Sequence, residues 1–207
     1  MKPHSLFLPG RLLLLGCALA GAGCTVIPPA TPDTTRYYVL TTAPAKPATV
    51  APAGPHWRIA LRPVEVPAFL RGKAMQVRYA GNEIRYADEA RWAESLEAGL
   101  GRVLRESLEG RGEVARVVSS PGEDHDFDVT VRVLRCEGDH ENKLARFTAV
   151  VEVYPPGAGT ERRARDTFTV EAAGWDGSYG QLALKLSEAV DGLADRITAL
   201  LATAEKR

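Results

Sequence analysis

The chain has 207 residues, of which 45% are hydrophobic and 25% charged, with 26 basic and 26 acidic side chains. That composition suits one ordinary globular domain, and the balanced charge excludes the basic footprint that nucleic acid requires. The only long apolar run lies at the N-terminus, so no later segment reads as a membrane span.

Residues 1–23 read as an export signal. Lys2 and Arg11 make a positive start, and residues 12–20 make an apolar run shorter than the ~20 residues of a spanning helix. The run ends in Gly21-Ala22-Gly23-Cys24. Small residues followed by Cys resemble the lipobox of bacterial lipoproteins, in which the Cys is acylated and becomes the first mature residue. Cys24 is therefore the expected lipidation site. The lipobox prefers Leu where this chain has Gly21. The rival is Leu14-Leu15-Gly16-Cys17, whose apolar run Arg11 would interrupt. Cutting before Cys24 leaves 24 basic against 26 acidic side chains.

Residues 24–35 are read as the lipidated Cys and a Thr- and Pro-rich tether. Its eleven residues beyond Cys24 reach about 35 Å at ~3.1 Å each. Thr25 stands where Asp would signal inner-membrane retention, so by resemblance to that sorting rule the outer membrane is expected. The folded domain is expected over 36–207. Residues 36–40, RYYVL, are β-rich, and 41–56 form an Ala/Pro-rich loop. Trp57, Ile59 and Leu61 alternate with polar residues as in a half-buried strand, and Pro63 and Pro67 mark an edge or a strand end.

Residues 75–79 and 83–86 form two short strands around Ala80-Gly81-Asn82. A helix is predicted over about 92–109, because Trp92, Leu96, Leu100, Val103, Leu104 and Leu108 recur at three- and four-residue steps. Asp88 is its expected N-cap with Glu89 in the first turn, and Gly110 and Gly112 end it. Residues 114–118 read as a strand, making a strand–helix–strand crossover. Apolar residues alternate over 127–133 and again over 147–153, with a polar turn between, predicting a long antiparallel hairpin. A further strand is expected over 165–170. Ser178 and Gln181 fit a capping box that opens a last helix over about 178–203. The expected fold is a single α/β domain: a mixed, largely antiparallel sheet with two long helices, each covering a sheet face.

His125 lies among Glu123, Asp124 and Asp126, and His140 between Asp139 and Glu141. Such groups bind Zn2+ or Ca2+ elsewhere, but the hairpin puts them roughly 30 Å apart, so solvated turn charges are expected and no metal or cofactor is assigned. Cys136 is read as a buried strand thiol without a disulfide partner. Gly99 and Gly101 inside the first helix indicate close packing. Trp92 is read as core. No nucleophile elbow, phosphate-binding loop or His-Glu zinc motif is found, so no catalytic residue is assigned. Trp175 is read either as a partner contact or as a staple beneath the last helix. Tyr37 and Tyr38 join it as candidate partner-binding residues.

RYYVL, then IALRPVEVPAFLRG, then QVRYAGNEIRYADEARWAESLEAGLGRVLRESL resembles the PqiC-type family of auxiliary lipoproteins of ABC-type transport systems. The Ala/Pro insert after the first strand is longer than is usual there. The resemblance implies a non-enzymatic outer-membrane lipoprotein of a system that moves lipid across the periplasm. It implies a periplasmic MCE-domain protein and integral-membrane transport components as partners, and several copies arranged around a conduit. Two other classes are weighed beside it: a glycan- or ligand-binding lipoprotein without a transporter, and an envelope hydrolase.

Overall fold

The computed structural model describes residues 32–42, 56–118, 122–157 and 161–206. One compact unit runs over Thr35–Arg207. Its strands are β1 (Arg36–Tyr38), β2 (Trp57–Leu61), β3 (Ala74–Arg78), β4 (Ile84–Trp92), β5 (Val114–Val118), β6 (Phe127–Asp139), β7 (Leu144–Tyr154) and β8 (Ala164–Ala173). Helix α1 is Leu96–Glu109, helix α2 is Tyr179–Glu205, and a 3-10 turn covers Ala68–Leu70.

The β6–β7 hairpin forms as its alternation predicts. Val129, Val131 and Val133 face one side and lie opposite Val153, Val151 and Ala149, all buried. A bulge between Val133 and Arg135 then inserts one residue, leaves Leu134 exposed and resets the phase. Cys136 and Gly138 therefore stay on the buried side, opposite Phe147 and Ala145. β8 adds antiparallel to β7 over ten residues, longer than the 165–170 expected.

The second edge of β6 carries two partners. β2 runs parallel to its start, pairing Ile59 with Phe127 and Leu61 with Val129. β3 runs parallel to its end, pairing Val77 with Gly138. Between them Glu65 exchanges backbone hydrogen bonds with Val131 and Val133 at 3.0 and 2.8 Å. β5 pairs parallel with β2, β4 antiparallel with β3, and β1 parallel with β4. The mixed eight-stranded sheet is the architecture expected. The crossover differs in detail: β5 pairs with β2, and not with the strand that precedes the helix, because the β3–β4 hairpin is inserted between them.

The start of α1 is a correction. Asp88 and Glu89 lie in β4, whose last residues pair with β1, and Ser95 is the N-cap, its Oγ accepting from Ala98 N–H at 3.3 Å. Helix propensity at 88–94 loses to nine residues of ladder, which Trp92 ends by donating its N–H to Lys73 O at 2.7 Å. From Leu96 onward the predicted stripe holds: Leu96, Leu100, Val103, Leu104 and Leu108 are all buried, each worth about 1.5–3 kcal/mol gross. The two helices touch each other and lie on the same sheet face, not one on each. Arg111 ties their ends, donating to Asp191 O at 2.6 Å, to Asp195 Oδ1 at 2.8 Å and to Ser107 O.

Ser178 caps α2 as expected, accepting from Gln181 N–H at 3.3 Å. Gln181 reaches back to Asp176 N–H, while Asp176 Oδ1 accepts from Ser178 N–H at 2.7 Å, so the reciprocal bond of the box is passed to its neighbour. Just before this cap the outer edge of the Trp175 ring packs on Gly138. A Cβ there would come within 2.6 Å of Trp175 Cη2. Replacing Gly138 with Ala is expected to cost about 1–3 kcal/mol through overpacking. The measurement is a urea midpoint followed by near-ultraviolet circular dichroism; an unchanged midpoint would show that Trp175 does not pin α2 to β6.

Candidate functional site

Both helices share one face, and among the described residues no helix lies on the other, the open face. Alternation puts Asp128, Thr130, Arg132, Glu137 and Asp139 of β6 on it, beside Arg146, Thr148, Val150, Glu152 and Tyr154 of β7. It is a face of ion pairs. Arg62 meets Asp128 at 2.9 Å, Arg78 meets Glu137 at 2.5 Å, and Arg146 bridges Asp139 at 2.8 Å and Glu171 at 3.2 Å. Glu152 accepts from Tyr154 at 3.0 Å and from Arg162 at 2.8 Å. Glu137 is wholly buried, so the two bonds from Arg78 hold it in place.

Of the candidate partner residues, Tyr37 is 60% exposed on β1, beside Arg91 of β4. Tyr38 turns inward and packs on Gly180 of α2 at 3.7 Å from its Cβ position. The chain beyond is pinned: Ala93 N–H donates to Tyr38 O at 2.8 Å, Arg102 Nη2 to Leu40 O at 2.9 Å, and Thr41 N–H to Ser187 Oγ at 3.0 Å. Trp175 is placed differently from Tyr37. It is 3% exposed, with its Nε1–H donating to Ser178 O at 2.8 Å, so it sits as a staple under α2 and presents no surface to a partner. Cys24 and Cys17 lie outside the described residues, as does most of the 41–56 loop.

Cys136 is buried on the helix-facing side of β6, and burial, reinforced by Glu137, pushes its thiol up to about 12. It is therefore protonated at neutral pH and unsuited to nucleophilic attack. His125 and His140 fall at opposite ends of β6. His140 stacks on Tyr79 at 4.3 Å, with Arg85 4.0 Å over the same ring. Trp92, read as core, is buried. Among the described residues no helix is long and apolar enough to cross a membrane.

The order of β6, flanked on one edge by β7–β8 and shared on the other by β2 and β3, defines a mixed α/β domain with one covered and one open face. The family of ABC-type transport auxiliary lipoprotein components matches residues 38–198, and the chain belongs to that family. Two solved structures share its fold. One is protein XCC0632 from Xanthomonas campestris, 18% identical, with a TM-score of 0.69 over 83% of this chain and 98% of that chain. The other is an uncharacterized protein, 17% identical, with a TM-score of 0.63 over 81% of this chain and 98% of that chain. At those identities the likeness concerns the fold alone. No curated protein matches the chain.

The bulge after Val133 and the shared second edge of β6 leave no local period in the sequence. Pro63 and Pro67 hinted at an interrupted strand, but not at which strand it joins.

Two outcomes follow from the ion pairs. Arg78→Met leaves Glu137 buried without its partner and is expected to destabilise the domain by about 3–5 kcal/mol, read from denaturant unfolding; a loss under ~1 kcal/mol would mean that Glu137 is rescued another way. Acid should also unfold the domain. Burial raises Asp139 and Glu152, but hydrogen bonds from Asn142, and from Tyr154 and Arg162, outweigh it and hold both below the usual carboxylate range. The bond from Arg196 lowers Asp166. Their stabilisation is present above the unfolded values, about 4, and lost as pH falls below them. Thermal melting between pH 7 and pH 2 checks this.

Proposed function

We propose that this protein is a non-enzymatic lipoprotein of an ABC/MCE-type system that moves phospholipid across the periplasm and supports membrane integrity. The family match over residues 38–198 carries the reading. Acyl chains on Cys24 anchor it in the outer membrane, and residues 25–35 tether the folded domain on the periplasmic side. A lipobox-like Gly21-Ala22-Gly23-Cys24 behind an apolar run supports the anchor.

The partners in this reading are a periplasmic MCE-domain protein and membrane-embedded transport components, with several copies of the lipoprotein around the conduit. Tyr37 is the contact residue that the geometry favours, as an exposed aromatic on a strand at the margin of the sheet. Tyr38 and Trp175 act behind the surface, by seating β1 and the start of α2.

Labelled palmitate tests the anchor. The protein should take up label and sediment with outer membrane, whereas Cys24→Ser should lose both; unlabelled wild-type protein free in the periplasm would defeat the proposal. For the partner surface, Tyr37→Ala should weaken co-purification of the MCE-domain protein several-fold, at about 1 kcal/mol or more for a lost aromatic anchor, while its melting temperature stays unchanged.

A further inference from the structure

The open face holds a cleft of about 290 Å³ between the segment that follows β2 and the strands β6 and β7. Its walls include Arg62, Asp128, Thr130, Arg132, Glu152 and Tyr154. The register sets them in rows, with Asp128 opposite Tyr154 and Thr130 opposite Glu152.

Asp128 is the unusual member. Its side chain is 5% exposed, yet neither carboxylate oxygen accepts a hydrogen bond. Arg62 Nη2 stands 2.9 Å from Oδ1 as a charge contact without hydrogen-bond alignment. His125 also approaches Oδ1 and leaves Oδ2 untouched. Its Nδ1 is 2.7 Å from Glu123 O, and a carbonyl only accepts, so Nδ1 carries the ring proton. Its Nε2 stands 3.4 Å from Oδ1. A buried carboxylate with unused acceptor capacity calls for a donor, and a cationic donor suits it best.

At the rim the chemistry reverses. Among the described residues Arg132 pairs with Glu65, at 3.3 Å, with both side chains more than half exposed. Such a surface pair contributes about 0–1 kcal/mol at most, so the Arg132 guanidinium is free to turn to an anion at little cost. Glu152, by contrast, is already taken by Tyr154, Arg162 and Arg165. The cleft thus offers, on its floor, the Oδ2 of Asp128, which neither Arg62 nor His125 contacts, and at its rim a guanidinium held by a weak pair.

We propose that this cleft binds a zwitterionic ammonium–phosphate group of the phosphoethanolamine type. The ammonium donates to Asp128 and Thr130, and the phosphate accepts from Arg132. A lone anion would leave the floor unmatched, and a lone amine the rim. The group can come from a phospholipid headgroup or from a soluble phosphoester. As a headgroup site it rests on the lipid-transport reading, but its test needs neither membrane nor transporter.

The full chain, purified in detergent, is titrated with phosphoethanolamine, phosphocholine and inorganic phosphate, followed by calorimetry and by the amide resonances of Thr130 and Arg132. Parallel arms use dihexanoyl phosphatidylethanolamine and phosphatidylcholine. Both ethanolamine compounds should bind saturably. Phosphocholine, which has no N–H, should bind about tenfold or more weakly, as loss of a charged hydrogen bond implies. Asp128→Asn should weaken ethanolamine binding by a similar factor; if that variant fails to fold, the exposed Arg132→Gln should weaken it instead. Tighter binding of the acylated compound identifies a lipid headgroup, and equal binding a soluble phosphoester; both support the site. Equal affinity for choline, phosphate alone binding as well, or no ethanolamine binding overturns it. Palmitate labelling is unaffected by any of these outcomes, so failure here and failure of the transport reading are told apart.

Discussion

The fold depends on the backbone of β6. Thirteen residues of one strand must satisfy two edges of hydrogen-bonding groups inside the molecule, where unpaired N–H and C=O groups are costly. β7 takes one edge from Asp128 to Asp139, apart from the bulge at Leu134. The other edge is taken in sequence by β2, by Glu65 and by β3, which is one run of chain interrupted by a 3-10 turn. That arrangement explains why Pro63 and Pro67 are tolerated in the middle of the sheet: each sits where the run leaves the ladder.

From this strand the rest follows outward. The bulge after Val133 restores the inward phase in time for Cys136 and Gly138. Gly138 then admits the Trp175 ring, which Ser178 O holds from above, and α2 starts there. α2 crosses β7 and β8 and meets α1, and Arg111 fastens the two helices at the far end. A chain that concentrates its apolar stripes on one side must leave polar residues on the other, and those residues pair with one another across β6, β7 and β3.

The helix-covered face holds the apolar core, and the other holds the ion pairs of Glu137, Asp139 and Glu152. The thiol of Cys136 belongs to the first, protonated and enclosed. The charges of the second are mostly partnered, which makes the underused carboxylate of Asp128 the place where the open face still has binding capacity. Tyr37 lies on β1, at the margin of the sheet, with β4 and β3 between it and β6.

The sequence by itself determined the α/β class, the β6–β7 hairpin, the stripes of both helices and the cap at Ser178. These are local: periods of 2 and 3.6 and a side chain reaching three residues on are properties of neighbours along the chain. Gly81, at φ +67° in the β3–β4 turn, was legible for the same reason. Only the tertiary structure decided that Asp88 and Glu89 belong to a strand, that Trp175 turns inward, that β5 pairs with β2, and that Asp128 is buried among groups from three strands. Each depends on residues distant in sequence competing for the same backbone edge or the same space, and no local period records which of them wins.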